Sequence, residues 1–228
     1  MYVPNYVPDP IEIPGNVTEE DYETRLAFVK RVAVLHFASL LVVGAVAYGP
    51  YAPPQDASWW LLGITLVALA IIRVSLRKGR TEAKVSSLLL APLLVVVGFV
   101  LHHAQTDGRP IWTMSIGPGC ALIYALLCGR DYSFVGQYLL SLIASSTAIA
   151  ALAVAAPASV SDARFALIAN GVYLSYYVYD LASLLARRRL REELAAVVDL
   201  YRDVLNIFGY IVRCIGHWRK HRIWLNPR

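Results

Sequence analysis

Charge is scarce in this sequence. Only 16% of its residues are Asp, Glu, Lys or Arg, whereas 57% are hydrophobic and the mean hydropathy is +0.52. Soluble domains carry roughly 25% charged residues, so the shortage argues against a water-exposed surface all round and for an integral membrane protein. The chain also lacks room for anything else. At 228 residues it accommodates six or seven helices of ~20 residues with short connections, and no sizeable soluble domain. Cysteine is sparse and scattered: Cys120, Cys128 and Cys214 form no disulfide or zinc framework, and two of them lie inside apolar runs as packed thiols. The N-terminus has no basic-then-apolar cleavable leader, so the first span is expected to act as an uncleaved insertion signal.

Two further absences narrow the function. The net charge of +5 is not accompanied by aromatic-basic interleaving, and the basic residues sit beside apolar spans, so nucleic acid is not an expected partner. The five histidines, His36, His102, His103, His217 and His221, include no pair at i, i+4 with an acid between them on an apolar helix; His217 and His221 have the bare spacing in a basic tail. A zincin-type metal site is therefore not expected, nor is enzymatic activity.

What is present is a run of apolar segments. They cover 31–48, 58–76, 86–103, 111–128, 134–156 and 165–186, each near the length that crosses a hydrocarbon core of ~30 Å. The breaks carry turn residues, among them Gly49-Pro50, Asp107-Gly108-Arg109-Pro110 and Gly129-Arg130-Asp131. A seventh segment, 191–217, is semi-polar: Asp199, Arg202, Asp203, Asn206, Tyr210, Arg213 and His217 share one helical face. That stripe suits either a surface-lying amphipathic helix or one turned toward a polar bundle interior. The expected fold class is thus an all-α membrane protein with six transmembrane helices and a seventh, semi-polar C-terminal helix packed in the bundle. Its expected organisation is a flexible Pro/Tyr-rich tail over 1–28, a membrane domain over 29–217 and a basic tail over 218–228.

Basic residues set the expected orientation. Arg25, Lys30, Arg31, Arg77, Lys78, Arg80, Lys84, Arg130, Arg187, Arg188, Arg189 and Arg191 cluster on one side of the spans, against Arg109 and Arg164 on the other, which makes the N-terminus cytoplasmic. The sequon Asn16-Val17-Thr18 is then expected to stay unmodified. Trp59, Trp60 and Trp112 read as interfacial anchors, and Gly117-Pro118-Gly119 should kink or open the fourth span.

Two carboxylates stand out. Asp180, in Tyr176-Tyr177-Val178-Tyr179-Asp180, and Asp203, in Tyr201-Arg202-Asp203-Val204-Leu205, fall in segments that otherwise read as membrane-embedded. A carboxylate there is a functional-site candidate by default. A pair on neighbouring helices can share protons or hold a hard cation transiently, calcium being the natural one. The plainer alternatives are a helix-end pairing of Asp180 with Arg187 or Arg188, and of Asp203 with Arg202.

Leu200-Tyr201-Arg202-Asp203-Val204-Leu205-Asn206-Ile207-Phe208 resembles the last-helix signature of the transmembrane Bax-inhibitor-motif family, the group that includes the lifeguard and Golgi anti-apoptotic proteins. Tyr173-Leu174-Ser175 through Asp180 is similar to its sixth-helix signature, Arg130-Asp131-Tyr132-Ser133-Phe134 to the turn before its fifth helix, and Arg25 to Val32 to its entry into helix one. The resemblance implies a seven-helix fold, a buried Asp180–Asp203 pair and a pH-sensitive calcium leak, with no tightly bound cofactor and with calcium and protons as the moving species. It also implies an association with suppression of cell death and with cell-death regulatory proteins, in endoplasmic reticulum or Golgi membranes for a eukaryotic or viral protein and in the plasma membrane for a bacterial one. Arg202, where an apolar residue is expected, marks a diverged member such as a viral one; Arg202, Asn206, Arg73 and Arg77 are the candidate latch or modulating residues. The competing functional class is a non-conducting membrane adaptor or immune regulator that acts through its tails and basic loops, and a monomer suffices for either.

Overall fold

The computed structural model describes residues 13–76, 80–155 and 160–205. Eight α-helices run through them: α1 Tyr22–Ala47, α2 Gln55–Ser75, α3 Arg80–Leu88, α4 Leu90–Thr106, α5 Ile116–Leu127, α6 Phe134–Ala155, α7 Val160–Arg187 and α8 Glu193–Leu205. Helix α1 is the hub, packed against α4, α5 and α8, while α5, α6 and α7 pack in sequence beside it. The core between them is built from Phe28, Val29, Val32, Leu93, Leu174, Tyr177, Leu181, Leu184, Leu185, Val197 and Leu200.

The expectation of six spans plus a seventh needs correction. Among the described residues three helices, α1, α2 and α6, are long and apolar enough to cross a membrane, or four if the bent pair α3–α4 is one span. The reasons are local. Helices α3 and α4 are bent by 44° at Leu89, where the ring of Pro92 removes a backbone donor and crowds the carbonyl four residues back, that of Leu88. The run 111–128 opens as a 3₁₀ turn over Ile111–Ser115, leaving α5 only 12 residues. Helix α7 is long enough, at 28 residues, but Asp162, Arg164, Asn170 and Asp180 break its apolarity. Helix α8 is described over 13 residues; the rest of the expected seventh segment, with Asn206, Tyr210, Arg213, Cys214 and His217, and the basic tail lie outside the described residues. The outward faces of α2 and α6 nonetheless expose rows of apolar side chains, Ile64, Val67 and Ile71 on one and Leu139, Leu140 and Ile143 on the other. Such surfaces suit lipid and not water, and the protein is an integral membrane protein.

Gly117-Pro118-Gly119 does not kink a helix. Pro118 sits in the first turn of α5, where its missing N–H has no intrahelical acceptor to lose. Gly117 is there for space, since a Cβ would overlap Asn170 Oδ1 of α7 and lie 3.2 Å from Leu174 Cγ.

The segment before α1 packs on the end of α7. Val17 N–H donates to the Arg188 carbonyl at 3.0 Å, Arg189 Nε donates to the Pro14 carbonyl at 3.0 Å, and Val17 is fully buried. The first of these bonds occupies a carbonyl that the C-terminus of α7 leaves unpaired. Asn16 is buried as well: its Oδ1 accepts from Thr18 N–H at 2.9 Å and its Nδ2 donates to the Ile13 carbonyl at 3.0 Å. In the folded chain the Asn16 amide is thus enclosed and hydrogen-bonded on both its polar atoms. Residues 1–12 of the expected tail lie outside the described residues.

Two ends of the bundle are chemically distinct. At one, His102 Nδ1 donates to the Ala47 carbonyl at 3.0 Å and His103 Nε2 to the Pro53 carbonyl at 2.9 Å, tying α4 to the α1–α2 connection. At the other, the ends of α2 and α7 meet α3 and α8, and there the buried charges gather.

Candidate functional site: a buried acid–arginine cluster

Asp180 and Asp203 are brought together by a third residue. Arg187, at the last turn of α7, donates from Nη2 to Asp180 Oδ1 and from Nη1 to Asp203 Oδ2 at 2.5 Å. Its side chain is 5% exposed, and those of the two aspartates are 0% and 3%. The helical register explains the first contact: Asp180 and Arg187 are two turns apart on one face of α7. The long apolar stem of Arg187 then reaches across to α8. Around Asp180 the remaining oxygens are also engaged, with Tyr176 OH donating to Oδ2 at 3.2 Å and Ser183 Oγ to Oδ1 at 3.0 Å. Tyr176 OH is also within 2.9 Å of the Leu200 carbonyl, a second link from α7 to α8.

The cluster extends past the expected pair. Asp199, one turn before Asp203 on α8, accepts from Arg188 Nε at 2.7 Å, Arg202 Nη1 at 2.8 Å and Arg73 Nη1 at 3.2 Å. Arg202 also reaches Asp203 Oδ1 from Nε and Nη2, both at 3.1 Å. Arg188 turns its other face to Glu82 of α3, donating from Nη1 at 2.7 Å and Nη2 at 3.3 Å, and Ser86 Oγ holds the same carboxylate at 3.0 Å. Glu82, Asp180, Asp199 and Asp203 thus meet Arg73, Arg187, Arg188 and Arg202, so the acids and bases balance.

Balance matters because an unpaired buried charge costs several kcal/mol while a fully hydrogen-bonded pair roughly breaks even. It also sets the electrostatics of α8. Burial pushes the Asp199 carboxyl up, but the guanidiniums of Arg188, Arg202 and Arg73 outweigh burial and hold it well below the usual carboxylate range. The same contest, with Arg187 and Arg202 as the cations, lowers Asp203. The aspartates are therefore salt-bridged and do not form an open, channel-lining pair. Among the described residues no group of three or more His, Cys, Asp or Glu side chains is placed to hold a metal ion. A calcium ion could use the oxygens of Asp180, Asp203 and Ser183 only where Arg187 gives them up, since the guanidinium occupies the space between them.

Of the candidate modulators, Arg202 and Arg73 lie in the cluster, whereas Arg77 and Asn206 fall outside the described residues. Residues that the sequence reading did not assign to the site are Glu82, Asp199, Arg187 and Arg188. Asp199 had a signal, standing at i−4 to Asp203 and i−3 to Arg202. Arg187 and Arg188 were named as possible helix-end partners of Asp180, and the structure gives that role to Arg187, whereas Glu82 gave no signal at all, being 106 residues from its partner.

An aromatic group backs the cluster. His36 of α1 is buried and stacked on Tyr177, 5.1 Å between ring centroids, with Nε2 at 2.5 Å from Tyr173 OH; Tyr201 meets it edge-on and shares a 2.8 Å hydrogen bond with Ser39.

Comparison with known proteins adds the following. The profile of a family described as Inhibitor of apoptosis-promoting Bax1 matches residues 25–220. Among individual proteins the chain is similar to three from Arabidopsis thaliana. Protein LIFEGUARD 2 is 25% identical over 83% of this chain and 87% of the relative, Protein LIFEGUARD 3 is 24% identical over 85% of each, and Protein LIFEGUARD 1 is 29% identical over 87% and 92%. No solved structure matches.

Proposed function

The chain belongs to the Bax1-I family, and from that premise we propose that it is a non-catalytic membrane regulator of cell death whose acid–arginine cluster controls a pH-sensitive calcium leak. The observation that carries this reading is the position of Arg187, whose guanidinium bridges Asp180 and Asp203. It acts as a tethered cation standing where a permeant cation would have to pass. Calcium takes flexible oxygen ligation, and two carboxylates with a hydroxyl make a sparse site that an ion can leave as well as enter.

Asp180 is the proton-responsive member. Asp199 faces three guanidiniums and Asp203 meets both Arg187 and Arg202, whereas Asp180 has Arg187, shared with Asp203, and two neutral hydroxyl donors, Tyr176 and Ser183. A proton on Asp180 removes one of the two carboxylate anchors of Arg187 and leaves it Asp203 of α8 and the Ser183 hydroxyl, which changes how α7 and α8 are held together. The N-terminus is cytoplasmic in this reading, because the cluster lies at the arginine-rich end of the bundle.

Calcium flux into liposomes that contain only the purified protein, measured across pH, tests the proposal. Arg187→Gln should raise flux, and Asp180→Asn should flatten its pH dependence. The same bridge supports a second reading, in which the balanced cluster is a permanent lock and the protein works as a non-conducting adaptor. Zero flux from both the parent and a folded Arg187→Gln variant would select that reading and discard the leak.

A further inference from the structure

A cavity of about 630 Å³ lies at the end of the bundle opposite the charge cluster, between the end of α4, the 3₁₀ turn, the start of α5 and the first half of α7. Its volume falls within the roughly 300–1,000 Å³ of small-molecule sites. The walls are mostly apolar, supplied by residues such as Leu101, Met114 and Phe165, and four polar side chains line it: Arg109, Thr113, Asn170 and Tyr173.

Three of those four are already committed. Thr113 Oγ1 donates to the Pro110 carbonyl at 2.7 Å, Asn170 Nδ2 donates to Ser145 Oγ at 2.8 Å, and Tyr173 OH is 2.5 Å from His36 Nε2. Arg109 differs. Its guanidinium lies over the Phe165 ring, 5.8 Å from the centroid, and no carboxylate among the described residues forms an ion pair with it. Asp162 lines a neighbouring cavity of about 380 Å³ that also includes Arg109, and has an interaction of its own. Among the described residues Arg109 is thus the single charged side chain lining this mostly apolar chamber.

Its depth is also defined. Arg109 follows α4 and precedes Trp112, which is 43% exposed, and the same end of the bundle carries the exposed pair Trp59 and Trp60. Tryptophans of this kind mark the headgroup level of a membrane, while Leu101 and Tyr173 lie further along their helices toward the hydrocarbon. The chamber therefore has a cationic mouth at the interface and an apolar interior below it.

We propose that this cavity binds a long-chain fatty acid, with its carboxylate on the Arg109 guanidinium and its chain between α4, α5 and α7. One guanidinium matches one carboxylate in a two-pronged, charge-assisted contact. A phosphate-headed lipid would call for further cations, which the lining lacks, and a two-chain lipid exceeds the space. With the other polar liners satisfied internally, the interior has no hydrogen-bonding demand that a bare acyl chain would leave unmet. The site is separate from the acid–arginine cluster and stands whether or not the protein conducts calcium.

Saturable binding of radiolabelled oleate to the full chain in lipid nanodiscs tests the site, with monoolein as the uncharged competitor. Arg109→Gln should weaken oleate binding at least tenfold, Arg109→Lys, which keeps the charge but loses the two-pronged geometry, should weaken it less, and Ala169→Trp, which fills the chamber from α7, should abolish it. Unchanged thermal unfolding of each variant confirms that the loss is local, and Arg109→Gln on the exposed rim provides the decisive comparison if Ala169→Trp fails to fold. Equal oleate affinity in Arg109→Gln and the parent, equal competition by monoolein, or uptake that never saturates would overturn the proposal.

Discussion

Removing the Arg187 side chain is the most direct way to ask whether the cluster is a balanced network. In Arg187→Leu, Asp203 retains Arg202, which contacts it twice at 3.1 Å, but Asp180 is left fully buried with only the Tyr176 and Ser183 hydroxyls. Stranding a buried charge in this way costs about 3–5 kcal/mol. For a protein of this size, each kcal/mol lowers the unfolding midpoint by about 2–4 °C, so the expected drop is about 6–20 °C. Asp180→Asn alone should cost less, about 1.5–3 kcal/mol for a lost charged hydrogen bond, because Arg187 still holds Asp203 and Ser183. Since Asn can still accept from Tyr176 and Ser183, the double variant should be no less stable than Arg187→Leu, so the coupling between the two positions should at least equal the Asp180→Asn loss of about 1.5–3 kcal/mol. Tryptophan-detected thermal unfolding in nanodiscs, run on the parent, both single variants and the double, closes the cycle. If Arg187→Leu melts within about 2 °C of the parent, or if the double variant loses the sum of the two single losses, Asp180 does not depend on Arg187 and the bridging geometry is refuted.

The positions of the cluster were partly legible in the sequence and its chemistry was not. Asp180 and Asp203 stand out because a carboxylate in an apolar run is rare enough to be noticed wherever it occurs. Their relationship depends on Arg187, whose pairing with Asp180 two turns earlier was legible as a helix-end alternative, but whose reach across to Asp203 on α8 is made by tertiary packing. Arg188 and Glu82 are harder still: their contact joins the end of α7 to α3 and is made by tertiary packing alone. Reading by apolar runs overstated the number of spans for a similar reason. A run records composition, and composition does not register the bend above Pro92 or the tight turn over Ile111–Ser115, while the polar residues along α7 were in view but not weighed against its length. The glycine-proline pattern was read as a kink because its position relative to the start of α5 could not be known before that start was seen.

Two further outcomes are expected. Gly117→Ala should lower stability by about 1–3 kcal/mol through overpacking, because the new methyl group displaces Asn170 and strains its 2.8 Å bond to Ser145; a variant as stable as the parent in denaturant or thermal unfolding would show that α5 and α7 can separate at little cost. Asp199→Asn should destabilise the protein by the same amount at every pH between 5 and 8. The sign follows from the depressed carboxyl: its ordinary value is about 3.9 and the three arginines hold it lower, so its contribution is present above the ordinary value and lost only as pH falls through the lower, folded-state one. Unfolding midpoints of parent and variant, compared at pH 5 and pH 8, measure that constancy. A difference that shrinks toward pH 5 would mean that Asp199 takes up protons in that range, which the contacts with Arg188, Arg202 and Arg73 forbid, and would move the source of any pH response from Asp180 on α7 to α8.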